Sequence, residues 1–345
     1  MITALITGVG SNIGEGIIKA LRLSKIKIRI IGTDIHPLSA GLFRCDKGYV
    51  VPPANSENFK EVILRICKNE RVNIIFVGSD PEISFFSLEK NNIEQETGSF
   101  VLASPYKLVN TFHDKWLSFL FFKENGFNCP QSILKDEIKI KEFVTKTGFP
   151  LVVKPRIGRG SRDVFVVKDE AELRYALTKV SDPIIQEYIS SDEEYTCGIF
   201  FDSKSKPKGI IIMKRELLAG TTYRAIVDDY PEIRKEIEKI AKKLSAEGAI
   251  GPLNVQCRLL PKGPVILEIN PRFSGTTAIR AHFNFNEPAL SIRHFIMGEE
   301  LGELNYTKGI MMRYWEEVYI SIEDGEKIIK EGVIENPISE IRRVF

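Results

Sequence analysis

Several absences narrow the field before any motif is read. The five cysteines, at positions 45, 67, 129, 197 and 257, form no CxxC pair. This argues against zinc, and an odd number of thiols scattered through apolar segments suits reduced, packed side chains in a cytoplasmic protein. No apolar run approaches the roughly eighteen residues of a membrane span. The opening Met1-Ile2-Thr3-Ala4-Leu5-Ile6-Thr7 lacks the charged start of a secretion signal and reads as a first β-strand. Neither charge is in excess: 48 basic against 46 acidic residues leave a net +2, which gives no electrostatic reason to expect nucleic acid or an anionic membrane as partner. Any anion site must therefore be local. Histidine is scarce, and the four, at 36, 113, 282 and 294, show no ligand spacing, so they are expected on the surface or in packing.

What remains is a chain of 345 residues, enough for two or three domains and for a core that needs neither metal nor disulfide. From residue 1 to about 110, β-branched runs (4–7, 28–33, 74–77, 100–103) alternate with helical patterns (14–23, 56–68), which implies a parallel sheet covered by helices. The turn Thr7-Gly8-Val9-Gly10-Ser11-Asn12-Ile13-Gly14, with Asp34 ending the second strand, resembles a nucleotide-binding βαβ unit. Its spacing is GxGxxxG, however, and tight strand-to-helix packing asks for the same glycines. A helix is predicted from His113-Asp114-Lys115 to a stop at Asn125-Gly126. Residues 138–190 read helix, strand, glycine loop, strand, helix, strand. Strands at 195–201 and 209–213 then lead into a charged helix, 231–248, and a hairpin, for which an antiparallel sheet with a helix on one side is expected. The segment 300–345 holds a strand-like 310–314 and an amphipathic 322–330, with no chemistry assigned.

The hairpin is the most informative stretch. Folding Leu253-Asn254-Val255-Gln256-Cys257-Arg258-Leu259 onto Val265-Ile266-Leu267-Glu268-Ile269-Asn270 about Lys262 sets Gln256 opposite Glu268 and Asn254 opposite Asn270. Val255, Cys257, Leu259, Val265, Leu267 and Ile269 are then expected on an oily face. Asn254, Gln256, Arg258, Glu268 and Asn270 fall on the other, a row of oxygens suited to a hard divalent cation, with Arg272 just beyond for anionic oxygens. An ordinary solvated hairpin face is the plainer reading of this pattern taken alone. Lys154 closes the apolar run Leu151-Val152-Val153, so its ammonium should leave a buried strand at the edge of a site, where it must find an anion or reach water. The loop Arg156-Ile157-Gly158-Arg159-Gly160-Ser161-Arg162 could close backbone amides and guanidiniums over a triphosphate, or be a flexible hairpin tip. Gln186-Glu187-Tyr188-Ile189 offers backbone groups to a base edge, with Glu194 able to reach ribose hydroxyls, or forms a surface loop. Ser274-Gly275-Thr276-Thr277 and Arg280 could face an acceptor carboxylate or cap a helix.

In this order, over about residues 1–300, these segments resemble the ATP-grasp superfamily. Glu268-Ile269-Asn270-Pro271-Arg272, Lys154-Pro155 and Gln186-Glu187-Tyr188 are similar to the carbamoyl-phosphate-synthase-like branch, which also holds many small ligases. The resemblance implies an α/β pre-ATP-grasp domain with a Rossmann-like parallel sheet (1–110), followed by an α+β ATP-grasp fold of two modules. These are a linker helix with a small lid module (111–190) and a large module with the metal site (191–300), and a C-terminal segment (301–345) packs on the core. It implies ATP with Mg²⁺, or Mn²⁺ in its place. Lys115 and Lys154 are then the phosphate lysines, Gly158, Arg159, Gly160 and Ser161 the lid loop, and Gln186, Glu187, Tyr188 and Ile189 the adenine hinge. Glu194 serves the ribose. Lys214 takes the basic position of the large module, unless Arg215 fills it, and Gln256, Glu268 and Asn270 are metal ligands. Arg272 and Lys154 carry the transfer. The implied activity joins a small-molecule carboxylate to an amine through an acylphosphate, and dimers are common among relatives. A non-catalytic ATP sensor and a nicotinamide dehydrogenase built on Gly8, Gly10, Gly14 and Asp34 are the rivals.

Overall fold

The computed structural model describes residues 1–158, 162–314 and 317–337. Three sheets account for the strands. In the first, Lys47–Val50, Ile28–Asp34, Ile2–Ile6, Ile74–Phe76 and Phe100–Leu102 run parallel in that order. Ile2, Thr3 and Ala4 pair with Ile28, Arg29 and Ile30. Both faces of this sheet are buried, one against the helix Asn12–Leu23 and the other against Phe59–Glu70. Its strands are therefore nearly continuous β-branched runs, as parallel strands covered on both sides must be. A sixth strand, Val333–Glu335, comes back from the far end of the chain and pairs antiparallel with Lys47–Val50.

The second sheet is a small antiparallel one, ordered Ser132–Leu134, Pro183–Glu187, Leu151–Pro155, Phe165–Val167. Helices Glu137–Thr147 and Glu170–Lys179 cover it through Phe143, Leu173 and Ala176. The third is a six-stranded antiparallel sheet, ordered Gly263–Asn270, Gly251–Leu260, Glu194–Phe201, Pro207–Leu218, Thr221–Val227, Gly309–Met312. One face packs on helix Pro231–Ala246, whose Ile233, Ile237, Ile240 and Leu244 recur at helical spacing and are fully buried. The other face is polar near the hairpin and turns toward the first two sheets. No helix among the described residues is long and apolar enough to cross a membrane.

The elements expected from the sequence are found, but the strands Lys47–Val50, Thr221–Val227 and Val333–Glu335 and the helices Asp80–Leu88, Lys90–Thr97 and Tyr106–His113 were not foreseen, and the hairpin holds an instructive difference. Asn254 pairs with Asn270 and Gln256 with Glu268, but nearer the turn Cys257 pairs with Ile266 and Leu260 with Gly263. The turn is thus the two residues Pro261 and Lys262, and the predicted pairs are restored by a bulge next to Gln256. The bulge also moves a side chain: Ile266 enters the core, whereas Leu267, expected on the oily face, lines the polar cleft. An inserted residue reverses the alternation, which sequence spacing alone does not reveal.

Candidate active site

A cleft of about 760 Å³ is lined from all three sheets, with Ser11, Asn12 and Asp80 from the first, Lys154 and Gly158 from the second, and the hairpin face from the third. Lys115 enters it from the helix Lys115–Glu124. That helix starts where it does because Asp114 caps it, accepting from the Trp116 and Leu117 amides at 2.8 and 3.3 Å. The same carboxylate holds Arg156 of the glycine loop, with Nη2 to Oδ2 at 2.7 Å. Burial works against the Asp114 charge, but Arg156 and the two amides outweigh it and keep the group below the usual carboxylate range. The loop is pinned to the helix start, and the Lys115 ammonium donates to the Gly158 carbonyl at 3.0 Å.

Lys154 Nζ donates to Gln186 Oε1 at 2.8 Å, and Gln186 Nε2 donates to Ser132 Oγ at 2.9 Å, which fixes the amide's orientation. Burial lowers the Lys154 amine to about 8; Glu268 opposes the shift and Lys115 adds to it. Burial also lowers the Lys115 amine, against the pull of Glu268, Asp114 and Asp80. Among the described residues neither lysine has a carboxylate within 4.0 Å. Two ammonium groups desolvated side by side without a paired carboxylate cost free energy that an anion entering the cleft would recover.

On the hairpin face, Glu268 and Asn270 project into the cleft. Asn270 Oδ1 accepts from Arg272 Nη2 at 3.1 Å, and its Nδ2 is buried without a partner. No donor reaches the Glu268 carboxylate among the described residues. Gln256 Oε1 accepts from Arg215 Nη2 at 3.0 Å. Carboxylate and amide oxygens on neighbouring strands fit a hard cation. Asn254, also expected among these oxygens, is 1 % exposed, and its Oδ1 is taken by Thr196 and by Arg280. Arg280 is fully buried in an ion pair with Glu287 at 2.8 Å. It is not among the residues that line the cleft, whereas Ser274, Gly275 and Thr276 are.

The remaining expected residues fall as follows. Glu194 accepts from Arg215 on Oε1 and from Arg258 on Oε2, at 2.7 and 3.0 Å. Lys214 is on the opposite side of its strand, 2.5 Å from Glu193 and away from the cleft, whereas Arg215 lines it. Arg272 donates to Asp80 at 2.5 Å and to the Phe273 carbonyl at 2.8 Å, which ties the first domain to the hairpin. Gln186 borders a small cavity of about 20 Å³ beside Lys115 and Glu268. Glu187 is bound to Gln131 through its backbone and its carboxylate, and the Ile189 carbonyl accepts from Arg258 at 2.6 Å; neither residue lines the cleft, nor does Tyr188. Arg159, Gly160 and Ser161 lie outside the described residues. The Asp114–Arg156 pair and the linking role of Arg258 were missed in the sequence. Only the position of Arg258 two residues after Gln256, on the same face, hinted at the latter.

The glycine-rich turn proves to be filled by the protein itself. Gly10 N–H donates to Asp34 Oδ2 at 2.7 Å, and Ser39 Oγ and the His36 amide donate to Oδ1 at 2.8 and 3.0 Å. A Cβ on Gly14 would lie 2.4 Å from the Gly8 carbonyl oxygen. The glycines serve packing and the acid serves the turn, so nothing here favours a dinucleotide.

Residues 112–276 match the ATP-grasp domain family and residues 4–101 the PylC-like N-terminal domain family. A D-alanine–D-alanine ligase from Bacillus anthracis is 33% identical over 199 residues, covering 54% of this chain and 64% of the relative. A carbamoyl phosphate synthase large chain from Helicobacter pylori is 25% identical over 300 residues, covering 79% of this chain and 27% of the relative. The chain therefore spans less than two thirds of these relatives. Among solved structures, N5-carboxyaminoimidazole synthetase from Staphylococcus aureus complexed with ADP superposes with a TM-score of 0.72 at 14% identity, covering 91% of this chain and 82% of that one. An L-amino acid ligase from Bacillus licheniformis gives 0.63 at 16%, covering 85% and 74%. At such identities the likeness is one of fold.

Proposed function

We propose that this chain, whose residues 112–276 match the ATP-grasp domain family, is an ATP-dependent ligase that activates a small-molecule carboxylate as an acylphosphate for attack by an amine. The observation that supports this most strongly is the pairing in one cleft of two desolvated lysines, Lys115 and Lys154, with the Glu268 carboxylate, which no donor among the described residues reaches. That combination suits a polyphosphate and its counter-cation. Glu268, Asn270 and Gln256 hold Mg²⁺, or Mn²⁺ in its place, and the metal when bound supplies neutralisation of phosphate charge.

Lys154 and Lys115 contact the phosphates, and Glu194 faces the ribose. Of the two basic candidates on strand Pro207–Leu218, Arg215 takes the phosphate role, because it is the one in the cleft. The substrate carboxylate attacks the γ-phosphorus, a new C(O)O–P bond forms, and the bond to ADP breaks. Arg272 holds the transferring oxygens. The amine then attacks the acyl carbon, phosphate departs with the bonding pair, and the amine proton is lost to solvent. The protein positions and neutralises, and no side-chain nucleophile takes part. The loop around Gly158 excludes water, which would otherwise hydrolyse the acylphosphate. Ser11, Asn12, Asp80 and the Ser274–Thr276 turn form the acceptor wall. The partners are small molecules, in line with the near-neutral charge.

Titration calorimetry with Mg²⁺ and a non-hydrolysable ATP analogue should show one site, and a screen of carboxylate and amine pairs should show ADP release that needs both. A chain that takes up no nucleotide defeats the proposal. Uptake with no ADP release across a broad set leaves the sensor reading standing.

A further inference from the structure

We infer that Arg215 is the side chain through which the nucleotide and metal sites communicate: it competes with the ribose for Glu194 and with the cation for Gln256, so that either ligand, on binding, clears the way for the other. This rests on the assignments just proposed for Glu194 and Gln256 and adds the coupling between them.

The argument is one of hydrogen-bond capacity. A carboxylate offers about four acceptor positions. On Oε1 of Glu194, Arg215 places Nε at 3.2 Å and Nη2 at 2.7 Å; on Oε2, Arg258 places Nε at 3.2 Å and Nη2 at 3.0 Å. Every position is in use, so a ribose hydroxyl must displace an N–H. The two arginines are not equally anchored. Arg258 also donates to the Ile189 carbonyl at 2.6 Å, which fixes it to the connection leaving the small module. The other contacts of Arg215 are a long one to Thr222 Oγ1 at 3.4 Å and the 3.0 Å bond to Gln256 Oε1.

Arg215 is the guanidinium that yields, and Gln256 is what it releases. A cation at Gln256 works in reverse, pushing Arg215 off the amide oxygen and weakening its hold on Glu194. The three charges sum to +1 on side chains 9, 12 and 25% exposed, so a displaced Arg215 gains from any anion in the cleft. Coupling of this kind must be equal in both directions.

The experiment uses two probes that cannot touch each other: Mn²⁺, followed by electron paramagnetic resonance, and adenosine, which carries no phosphate to ligate the metal. In the wild-type chain saturating adenosine should tighten Mn²⁺ binding about fivefold or more, and Mn²⁺ should tighten adenosine by the same factor. Arg215→Met should bind Mn²⁺ more tightly than the wild type does alone, with no further response to adenosine. Gln256→Leu takes this amide anchor from Arg215 and should tighten adenosine binding with no metal present, a second route to the same conclusion should Arg215→Met fail to fold. Independent binding of both probes to the wild type, or coupling that survives both substitutions, overturns the inference and leaves the ligase proposal intact. A wild-type chain that binds neither probe overturns both.

Discussion

Two regions of this molecule invite a nucleotide by their residues, and they differ in where their polar groups are spent. The glycine turn at Gly8–Gly14 with Asp34 has the composition of a phosphate cradle, yet its acid accepts three hydrogen bonds from its own surroundings and its glycines are crowded by the Ser79 and Ser39 side chains and by backbone. In the cleft beneath the hairpin, two lysines are desolvated without a carboxylate partner and Glu268 has no donor among the described residues. Site residues are better recognised by what their neighbours leave unsatisfied than by their type. A satisfied constellation supports the fold, and an unsatisfied one carries a cost that a ligand can remove.

The contrast is broken most directly at Lys154. Lys154→Met should lower affinity for Mg²⁺ with an ATP analogue about a hundredfold in calorimetry, since a charge-assisted contact in a desolvated cleft is lost. Retained affinity would mean that the two regions have been told apart wrongly. Asp34→Ala should leave nucleotide affinity unchanged but destabilise the chain by about 1–3 kcal/mol in denaturant unfolding, because three donors lose their acceptor; a loss of binding without a loss of stability would return the nucleotide to the glycine turn.

A pH series sharpens the comparison further. With the Lys154 amine lowered to about 8 from the ordinary lysine value of 10.5, nucleotide affinity should fall by up to about tenfold between pH 7 and pH 9 as the ammonium discharges. Stability moves the other way. Between about 8 and 10.5 the unfolded chain holds a proton that the folded one has released, so stability rises with pH across that window. A pH-stat comparison of affinity and unfolding midpoint separates the two signs. The smallest effect belongs to Lys214→Ala, which should change nucleotide affinity less than about twofold, because that ammonium faces Glu193 outside the cleft.

Much of this was legible in the chain. Period-two and helical spacing located many of the elements, and the start at His113-Asp114-Lys115 and the stop at Asn125-Gly126 bounded a helix that the structure sets at Lys115–Glu124. The partners of Gln256 and Asn270 followed from counting outward from a turn. What spacing could not carry was anything set by an irregularity or by contacts distant in sequence. The bulge beside Gln256 sent Leu267 to the cleft and Ile266 to the core. Lys214 and Arg215 are neighbours on one strand, and only the register with Glu194 decides which of them faces the site. Arg280, placed by sequence near an acceptor, is committed to Glu287 and Asn254, groups that no local pattern connects to it.

The strand Val333–Glu335, which closes the edge of the first sheet against Lys47–Val50, has a consequence for biosynthesis. Most of the sheet is made before either of the other two, and it is completed by a segment made after both. At about 5–20 residues per second the Lys47–Val50 edge stays bare for tens of seconds, a period in which a parallel sheet is open to pairing with a stranger. Arg29 and Lys47 are each held by buried Glu70 and each also reach Glu335, so the returning strand meets a cluster that carries a net +1 without it.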